Sequence, residues 1–339
     1  MPRTSEYCAV GHPDRTCDYI ASYLLDRWLE RDPFARVALE VQLKDAFCTV
    51  SGEVTSFWRF AASEIAEFCR EAVRRIGYTD DYVAAFGEGT CVSGSGLEVT
   101  LHISHQSPDI ARGVDADGWG DQGIFWGYAE NSPETGDMPL DHWLARRIAH
   151  EIVARGVGGL DVKTMVTVED GRAVECVVAV PLTERHDRGA VERIVRDVAG
   201  PQCRVAVNGT GVYLTHGSVG DCGTTGRKLA VDFYGGNCRV GGGSPWGKDP
   251  TKADVALNVL ARRMALEYMR EHGLGSVTCG ISCRIGSPEI RVSFLDGANR
   301  LLETRTESAP PSHVIEALGL RRPRYAERCA AGLFGFERR

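Results

Sequence analysis

One arrangement recurs along this chain and limits what it can fold into: a helix, a two-stranded hairpin, a second helix and a further strand. Residues 14–30, DRTCDYIASYLLDRWLE, carry Ile20, Leu24, Leu25 and Trp28 at helical spacing, with Asp14 where an N-cap belongs. Segments 36–43 and 47–54 read as strands, 57–77 as an amphipathic helix ending before Gly77, and 96–104 as an alternating strand. The order returns with a helix over 139–155, strands at 163–169 and 173–181 about Asp170-Gly171, a helix over 187–199 and a strand at 203–207. It returns once more with a helix from Lys252 to Glu271, strands at 275–284 and 289–295, and a helix over 311–318. The pattern predicts an α+β protein of three similar domains, placed at 1–107, 115–219 and 220–339. Long Gly-rich connections at 111–136 and 216–247 join the blocks, and connections of that length in compact proteins are usually functional.

Charge narrows the function classes. The net charge is -7 and no basic block or tail is present, which argues against nucleic acid as a partner. No apolar run has the length of a membrane span, and the N-terminal MPRTSEYCAVGHPD lacks an apolar signal core, so a cytoplasmic protein is expected. The 12 cysteines are scattered, with no C-x-x-C pair. They read as reduced, mostly buried thiols and not as a zinc site or a disulfide framework.

Against that acidic background, residues 241–254, GGGSPWGKDPTKAD, stand out. Glycines let the backbone approach a ligand, Lys248 and Lys252 suit phosphate oxygens, and Asp249 and Asp254 offer hard oxygen donors for Mg²⁺. Gly242, Gly247 and Lys248 mimic a P-loop, but the next residue is Asp249 where Ser or Thr belongs, and Pro250 follows. Taken alone, the segment reads equally well as a surface turn with solvated charges.

Three further clusters share its character. Gly11-His12-Pro13-Asp14 offers a histidine for a developing charge and a carboxylate for a metal or a helix cap. Gln106-Ser107-Pro108-Asp109 and Gly120-Asp121-Gln122-Gly123 flank a stretch suited to a lid. Gly220–Lys228, GDCGTTGRK, exposes backbone beside Arg227 and Lys228. There is no Ser-His-Asp or Cys-His arrangement, no H-E-x-x-H, and no G-x-G-x-x-G between a strand and a helix. The chain invests in charge and glycine, not in a nucleophilic side chain.

In this order, GHPD at 11–14, QSPDI at 106–110, GDQG at 120–123, GDCGTTGRK at 220–228 and GGGSPWGKDPTK at 241–252 resemble the signatures of the methionine adenosyltransferase, or S-adenosylmethionine synthetase, family. The resemblance spans nearly the whole chain and is weakest from 130 to 210. It implies three similar α+β domains about a pseudo-threefold axis. It also implies a homodimer, often paired into a tetramer, with active sites between subunits. The implied reaction joins ATP and L-methionine: sulfur attacks C5′, and the triphosphate is then cut to pyrophosphate and phosphate. By resemblance, His12, Lys163, Arg227, Lys228, Lys248 and Lys252 handle the triphosphate. Asp14 and Asp254 hold Mg²⁺, two ions per active site, and Glu40 holds K⁺. Glu53, Gln106 and Asp221 line the methionine pocket, Asp121 and Asp161 join the substrate contacts, and Tyr213 and Ile285 neighbour adenine.

Several positions depart from the family pattern. Arg15 stands in place of lysine after GHPD, Tyr213 in place of phenylalanine, Val10 in place of an acidic residue and Val212 in place of arginine. The loop at 111–119 is short. These departures keep two alternatives open: a relative with altered methionine-analogue or nucleotide scope, and a non-catalytic nucleotide- or S-adenosylmethionine-binding regulator. Retention of His12, Lys163, Lys248 and the metal aspartates speaks against the second.

Overall fold

The computed structural model describes residues 2–105 and 117–335. Its strands form three four-stranded sheets. The first block supplies β1 (Arg3–Cys8), α1 (Pro13–Arg31), β2 (Arg36–Lys44), β3 (Phe47–Thr55), α2 (Ala62–Ile76), α3 (Asp80–Phe86) and β4 (Glu98–Ser104). The second supplies β5 (Gly123–Glu130), α4 (Leu140–Ala154), β6 (Lys163–Glu169), β7 (Arg172–Ala179), α5 (Arg188–Ala199) and β8 (Arg204–Val207). The third supplies β9 (Gly223–Thr224), α6 (Ala253–Glu271), β10 (Ser276–Cys283), β11 (Glu289–Asp296), β12 (Leu301–Ser308), α7 (Pro311–Ala317) and α8 (Tyr325–Ala331).

The sheets do not follow the blocks. Their strand orders are β4-β3-β2-β9, β1-β6-β7-β8 and β12-β11-β10-β5. Each sheet therefore takes one edge strand from another block: β9, β1 and β5. The first two sheets share a plan, an antiparallel hairpin followed by a helix and a parallel strand (β3 with β4, β7 with β8). The third replaces that crossover with a meander, since β12 returns antiparallel to β11.

Each sheet is backed by helices on one face. Ile20, Leu24, Leu25 and Trp28 of α1 pack with α2 against Val37, Leu39, Val41 and Val50. Helices α4 and α5 cover β1, β6 and β7, and α6 and α7 cover β5, β10 and β11. Each fully buried leucine of these layers contributes about 2 kcal/mol of apolar transfer. The sheets leave large apolar side chains exposed: Phe47 on the first, Met165 on the second, and Ile124, Leu301 and Leu302 on the third. Among the described residues, no helix is long and apolar enough to cross a membrane.

Local sequence explains the main boundaries, with corrections. Helix α1 begins with Pro13 at its first position, so the cap moves back to His12, whose Nδ1 accepts the Asp14 N–H at 3.2 Å. Asp14 itself lies in the first turn. The helix expected over 57–77 starts later, as α2 after Ala61, with Glu64 accepting the Ala61 N–H at 2.7 Å; it ends before Gly77 as expected, and α3 is a separate short helix beyond it. The hairpin at Asp170-Gly171 has φ of 46° and 74°, as a primed two-residue turn requires. The connection expected over 111–136 contains β5, and that over 216–247 contains β9 and two short helical turns, Gly217–Gly220 and Leu229–Asp232. Gln106 and most of the 111–119 loop lie outside the described residues.

Candidate active site

Two carboxylates on one face of α1 organise the first group of charged residues. Asp14 and Asp18 are one turn apart and buried. Asp14 Oδ1 accepts the Thr224 N–H at 2.9 Å and Asp18 Oδ1 accepts the Gly226 N–H at 2.8 Å. The GDCGTTGRK segment is thereby zipped along the start of α1. That docking brings Lys228 Nζ onto Asp14 Oδ2 and places Arg227 Nε 3.5 Å from Asp14 Oδ1. The cation pair thus lies beside His12. Burial, then Lys228, holds the His12 imidazole down to about 4, so it is neutral near pH 7.

The β1–β6 ladder adds a second wall. Cys8 pairs with Lys163, and Lys163 Nζ lies 2.8 Å from Glu6 Oε2. Lys163 also acts electrostatically on His12 and Asp14. Just before it, buried Asp161 accepts the Gly217 N–H at 2.9 Å. Burial pushes Asp161 up to about 6, and a hydrogen bond from the Tyr213 hydroxyl opposes that shift. The hydroxyl that distinguishes Tyr213 from phenylalanine therefore has a partner. Asp221 faces both His12 and Asp161.

A second group surrounds the Gly-rich loop. Backbone bonds sew this loop to β2: Leu39 N–H to the Gly247 carbonyl at 2.9 Å, Asp249 N–H to the Val37 carbonyl at 2.9 Å, and Val37 N–H to Asp249 Oδ2 at 2.8 Å. Gly247 has φ of 70°, and a Cβ there would sit 2.2 Å from the Leu39 carbonyl oxygen. Only glycine fits so close an approach. Lys248 Nζ reaches Asp254 Oδ2, while Asp254 Oδ1 accepts the Gly243 N–H at 2.7 Å. Asp254 stands in the first turn of α6, where the helix field favours a negative group. Lys252 occupies the N-cap position of that helix without a side-chain capping bond, 3.5 Å from buried Asp249, which also accepts from Thr251.

Asp121 and Ile285 join this second group through Cys283. The thiol donates to the Asp121 carbonyl at 3.4 Å, and burial first, then Asp121 and Asp254, pushes it up to about 11. Gly286 N–H bonds the Trp119 carbonyl at 2.7 Å, fixing the turn that carries exposed Ile285. Glu40 and Glu53 occupy the outward face of the first sheet. Glu53 lies opposite Ala38, and Ala38 is bridged on its other side to Lys248.

The structure thus gathers His12, Asp14, Asp161, Lys163, Tyr213, Asp221, Arg227 and Lys228 in one group. It places Asp121, Lys248, Lys252, Asp254 and Ile285 in another, with Glu40 and Glu53 beside it. Among the described residues, no hydrogen bond or ion pair joins the two groups. A cavity of about 330 Å³ lined by Trp28, Trp58, Phe60 and His105 holds none of them. Asp18, Asp232, Trp246 and Cys283 received no role from sequence reasoning, although Trp246 lies within the Gly-rich motif. Of these, Asp18 alone had a usable signal, its i+4 spacing from Asp14.

Among the described residues, no cluster of three or more His, Cys, Asp or Glu side chains could hold a metal unaided. Asp14 and Asp254 each offer one carboxylate beside cations. That donor set fits Mg²⁺ held jointly with phosphate oxygens and does not fit an all-protein cage.

Comparison with known proteins gives this arrangement its context. Residues 1–108 match the S-adenosylmethionine synthetase N-terminal domain, and residues 215–339 match the C-terminal domain. S-adenosylmethionine synthase of Wolinella succinogenes is 36% identical over 368 residues, covering 98% of this chain and 92% of its own. That of Sulfurovum sp. is 35% identical, covering 98% and 93%. The solved structure of an unusual S-adenosylmethionine synthetase from Campylobacter jejuni superposes with a TM-score of 0.89 at 27% identity, covering 98% of this chain and 94% of that one. The class is therefore an α+β enzyme, a transferase of S-adenosylmethionine biosynthesis. The chain belongs to the S-adenosylmethionine synthetase family.

Proposed function

We propose that the two charged groups are the two halves of a methionine adenosyltransferase site that holds the polyphosphate of ATP while methionine sulfur attacks C5′. The observation that carries this reading is a repeated one: each candidate metal carboxylate is covered by a candidate phosphate lysine, Asp14 by Lys228 and Asp254 by Lys248. In such a pair both charges are satisfied without ligand. A Mg²⁺–polyphosphate complex offers the carboxylate a cation and the lysine an anion at once, so both partners exchange together. Free Mg²⁺ alone offers the lysine nothing.

The substrate is the nucleophile, which accounts for the absence of a nucleophilic side chain. The task left to the protein is electrostatic: to accept the negative charge that gathers on the departing triphosphate. Lys228, Arg227 and Lys163 supply positive charge from one half, and Lys248 and Lys252 supply it from the other. Neutral His12 donates a hydrogen bond without bringing a further cation into a crowded cationic site. Bound Mg²⁺ would neutralise phosphate charge at Asp14 and Asp254. The same cage then holds triphosphate for hydrolysis to pyrophosphate and phosphate. Tyr213 and Ile285 flank adenine, Glu53, Asp121, Asp161 and Asp221 contact the polar groups of ribose and methionine, and Glu40 holds K⁺ on the outward sheet face.

We also infer that a second copy completes the site. The residues divide into halves that no direct bond joins among the described residues, and the outward sheet faces beside them carry Phe47, Ile124 and Met165. A reduced cytoplasmic setting suits the 12 free thiols.

The test is product analysis by mass spectrometry with ATP, L-methionine, Mg²⁺ and K⁺, together with phosphate analysis. S-adenosylmethionine with equal pyrophosphate and phosphate is expected. Phosphate without S-adenosylmethionine would replace this reading with altered scope, and no turnover would replace it with a binding role.

A further inference from the structure

Arg15 directly follows Asp14, yet its side chain turns away from the site into the interior, where it is 1% exposed. Its Nη1 donates to Asp18 Oδ2 at 3.0 Å and to Asp232 Oδ1, and its Nη2 donates to the Cys329 carbonyl at 2.7 Å. Trp246, also 1% exposed, lays its ring against the guanidinium, with 5.2 Å from Cζ to the ring centroid. Its indole N–H donates to the other oxygen of Asp232 at 2.8 Å. Asp232 thus takes one bond from α1 and one from the Gly-rich loop. Asp18 takes one from Arg15 and one from the Gly226 backbone.

Four segments meet here: besides α8, which brings Cys329, three carry part of the site. Helix α1 brings His12 and Asp14, segment 221–232 brings Arg227 and Lys228, and the Gly-rich loop brings Lys248. Trp246 is separated from Lys248 only by Gly247, whose left-handed φ and close approach to Leu39 make that step rigid. A guanidinium can make directed bonds in its plane while its face stacks on an aromatic ring; an ammonium cannot. A buried guanidinium with two carboxylates is also a poor source of stability, because apolar residues of similar volume often serve as well. Its geometric role is the better account of it.

We propose that Arg15, Asp232 and Trp246 form a buried positioning unit that aims Lys248 at the polyphosphate by fixing the Gly-rich loop against α1 and segment 221–232. This rests on the reading of Lys248 as a phosphate ligand. None of the three touches substrate; they act through the loop.

Calorimetric titration of the full chain with tripolyphosphate and Mg²⁺ tests the idea through a double-mutant cycle. Trp246→Phe keeps the ring over Arg15 and removes the N–H. It is expected to weaken binding about tenfold, the scale of a lost outer partner, and to lower the thermal midpoint as well, because buried Asp232 loses a hydrogen-bond partner; the double-mutant cycle separates that loss from the aiming of Lys248. Lys248→Met weakens binding by itself. In the double variant the Trp246→Phe effect shrinks to within about twofold, because there is no lysine left to aim. Arg15→Lys repeats the pattern and lowers kcat while leaving KM for methionine unchanged. If the effects of Trp246→Phe and Lys248→Met multiply in full, or if Trp246→Phe binds like wild type, the positioning role is overturned. If Lys248→Met alone binds like wild type, the phosphate reading of Lys248 falls, and the proposal with it.

Discussion

The two halves of the proposed site are built in opposite ways. Asp14 is 0% exposed and receives the Thr224 N–H, Lys228 and Arg227 from a segment zipped along α1. The Asp254 side chain is 18% exposed and receives one loop N–H and Lys248. In the first half, water cannot replace a lost partner, so charge and fold depend on one another. In the second, water can replace it, and the loop holds its shape through backbone bonds to β2. Function and stability are therefore coupled in one half and separable in the other.

The largest expected effect breaks the first half. Asp14→Ala leaves Lys228 and the Thr224 N–H facing an empty acceptor. Turnover should fall by about 1000-fold or more, and a denaturant titration should show about 3–5 kcal/mol lost, as for a broken buried pair. Asp14→Asn keeps an acceptor for Thr224; it should recover much of the stability and none of the turnover. A stable Asp14→Ala protein would erase the contrast.

Lys248→Met probes the other half. Turnover should drop about 100-fold, while unfolding free energy stays within about 1 kcal/mol of wild type, since the lysine's pair is partly exposed. Asp254→Ala should behave alike. Near-normal turnover in either purified variant would remove Lys248 and Asp254 from the phosphate cage.

This asymmetry also shows what the sequence made legible. Interior strands β2, β3, β6, β7, β10 and β11 declare themselves through hydrophobic patterning, because each packs against helices. The strands that sequence reading passes over, β1, β5, β9 and β12, all lie at sheet edges. Strand β9 is two residues long, and β12 is largely exposed, so neither carries a core-facing pattern. Three of the four cross from one block to another, a long-range pairing with no local signature. The candidate site divides the same way. Lysines and aspartates in glycine-rich motifs are visible as chemistry. Asp232 and Trp246 are not, because their meaning lies in a meeting with Arg15, 217 residues from Asp232 in sequence.

Burial couples charge to stability outside the site as well, with a smaller effect. His142 of α4 is buried and donates its Nε2–H to the Val231 carbonyl at 2.8 Å, and its Nδ1 has no partner among the described residues. Burial lowers it to about 4. The unfolded chain, with an ordinary value near 6.5, binds the extra proton first as pH falls. Stability should therefore be full above about pH 6.5 and decline toward pH 4, by at most about 1.4 kcal/mol per pH unit from this group. Buried Asp26 and Asp161, both pushed up to about 6, act in the opposite direction. They are present in a His142→Gln variant too, so the difference between the two pH slopes belongs to His142. Parallel slopes would show that this imidazole titrates normally.

The smallest effect falls within the first half, at Cys222. Cys222 lies in the motif that supplies Arg227 and Lys228, a position that invites a catalytic reading of its thiol. Its contacts place the work in the backbone instead. The Cys222 carbonyl accepts Arg227 Nη1 at 3.2 Å, and its N–H reaches Asp221 Oδ1 at 2.8 Å. The sulfur makes only long contacts, 3.8 Å from Gln42 Nε2 and 3.9 Å to the Gly223 carbonyl. Cys222→Ala keeps both backbone bonds and removes a half-buried thiol. Its turnover should stay within about twofold of wild type, and its stability within about 1 kcal/mol. A folded but inactive Cys222→Ala enzyme would give the sulfur a part in the chemistry. The division between halves would then have to be redrawn around Cys222, with Gln42 of β2 as the first neighbour to test.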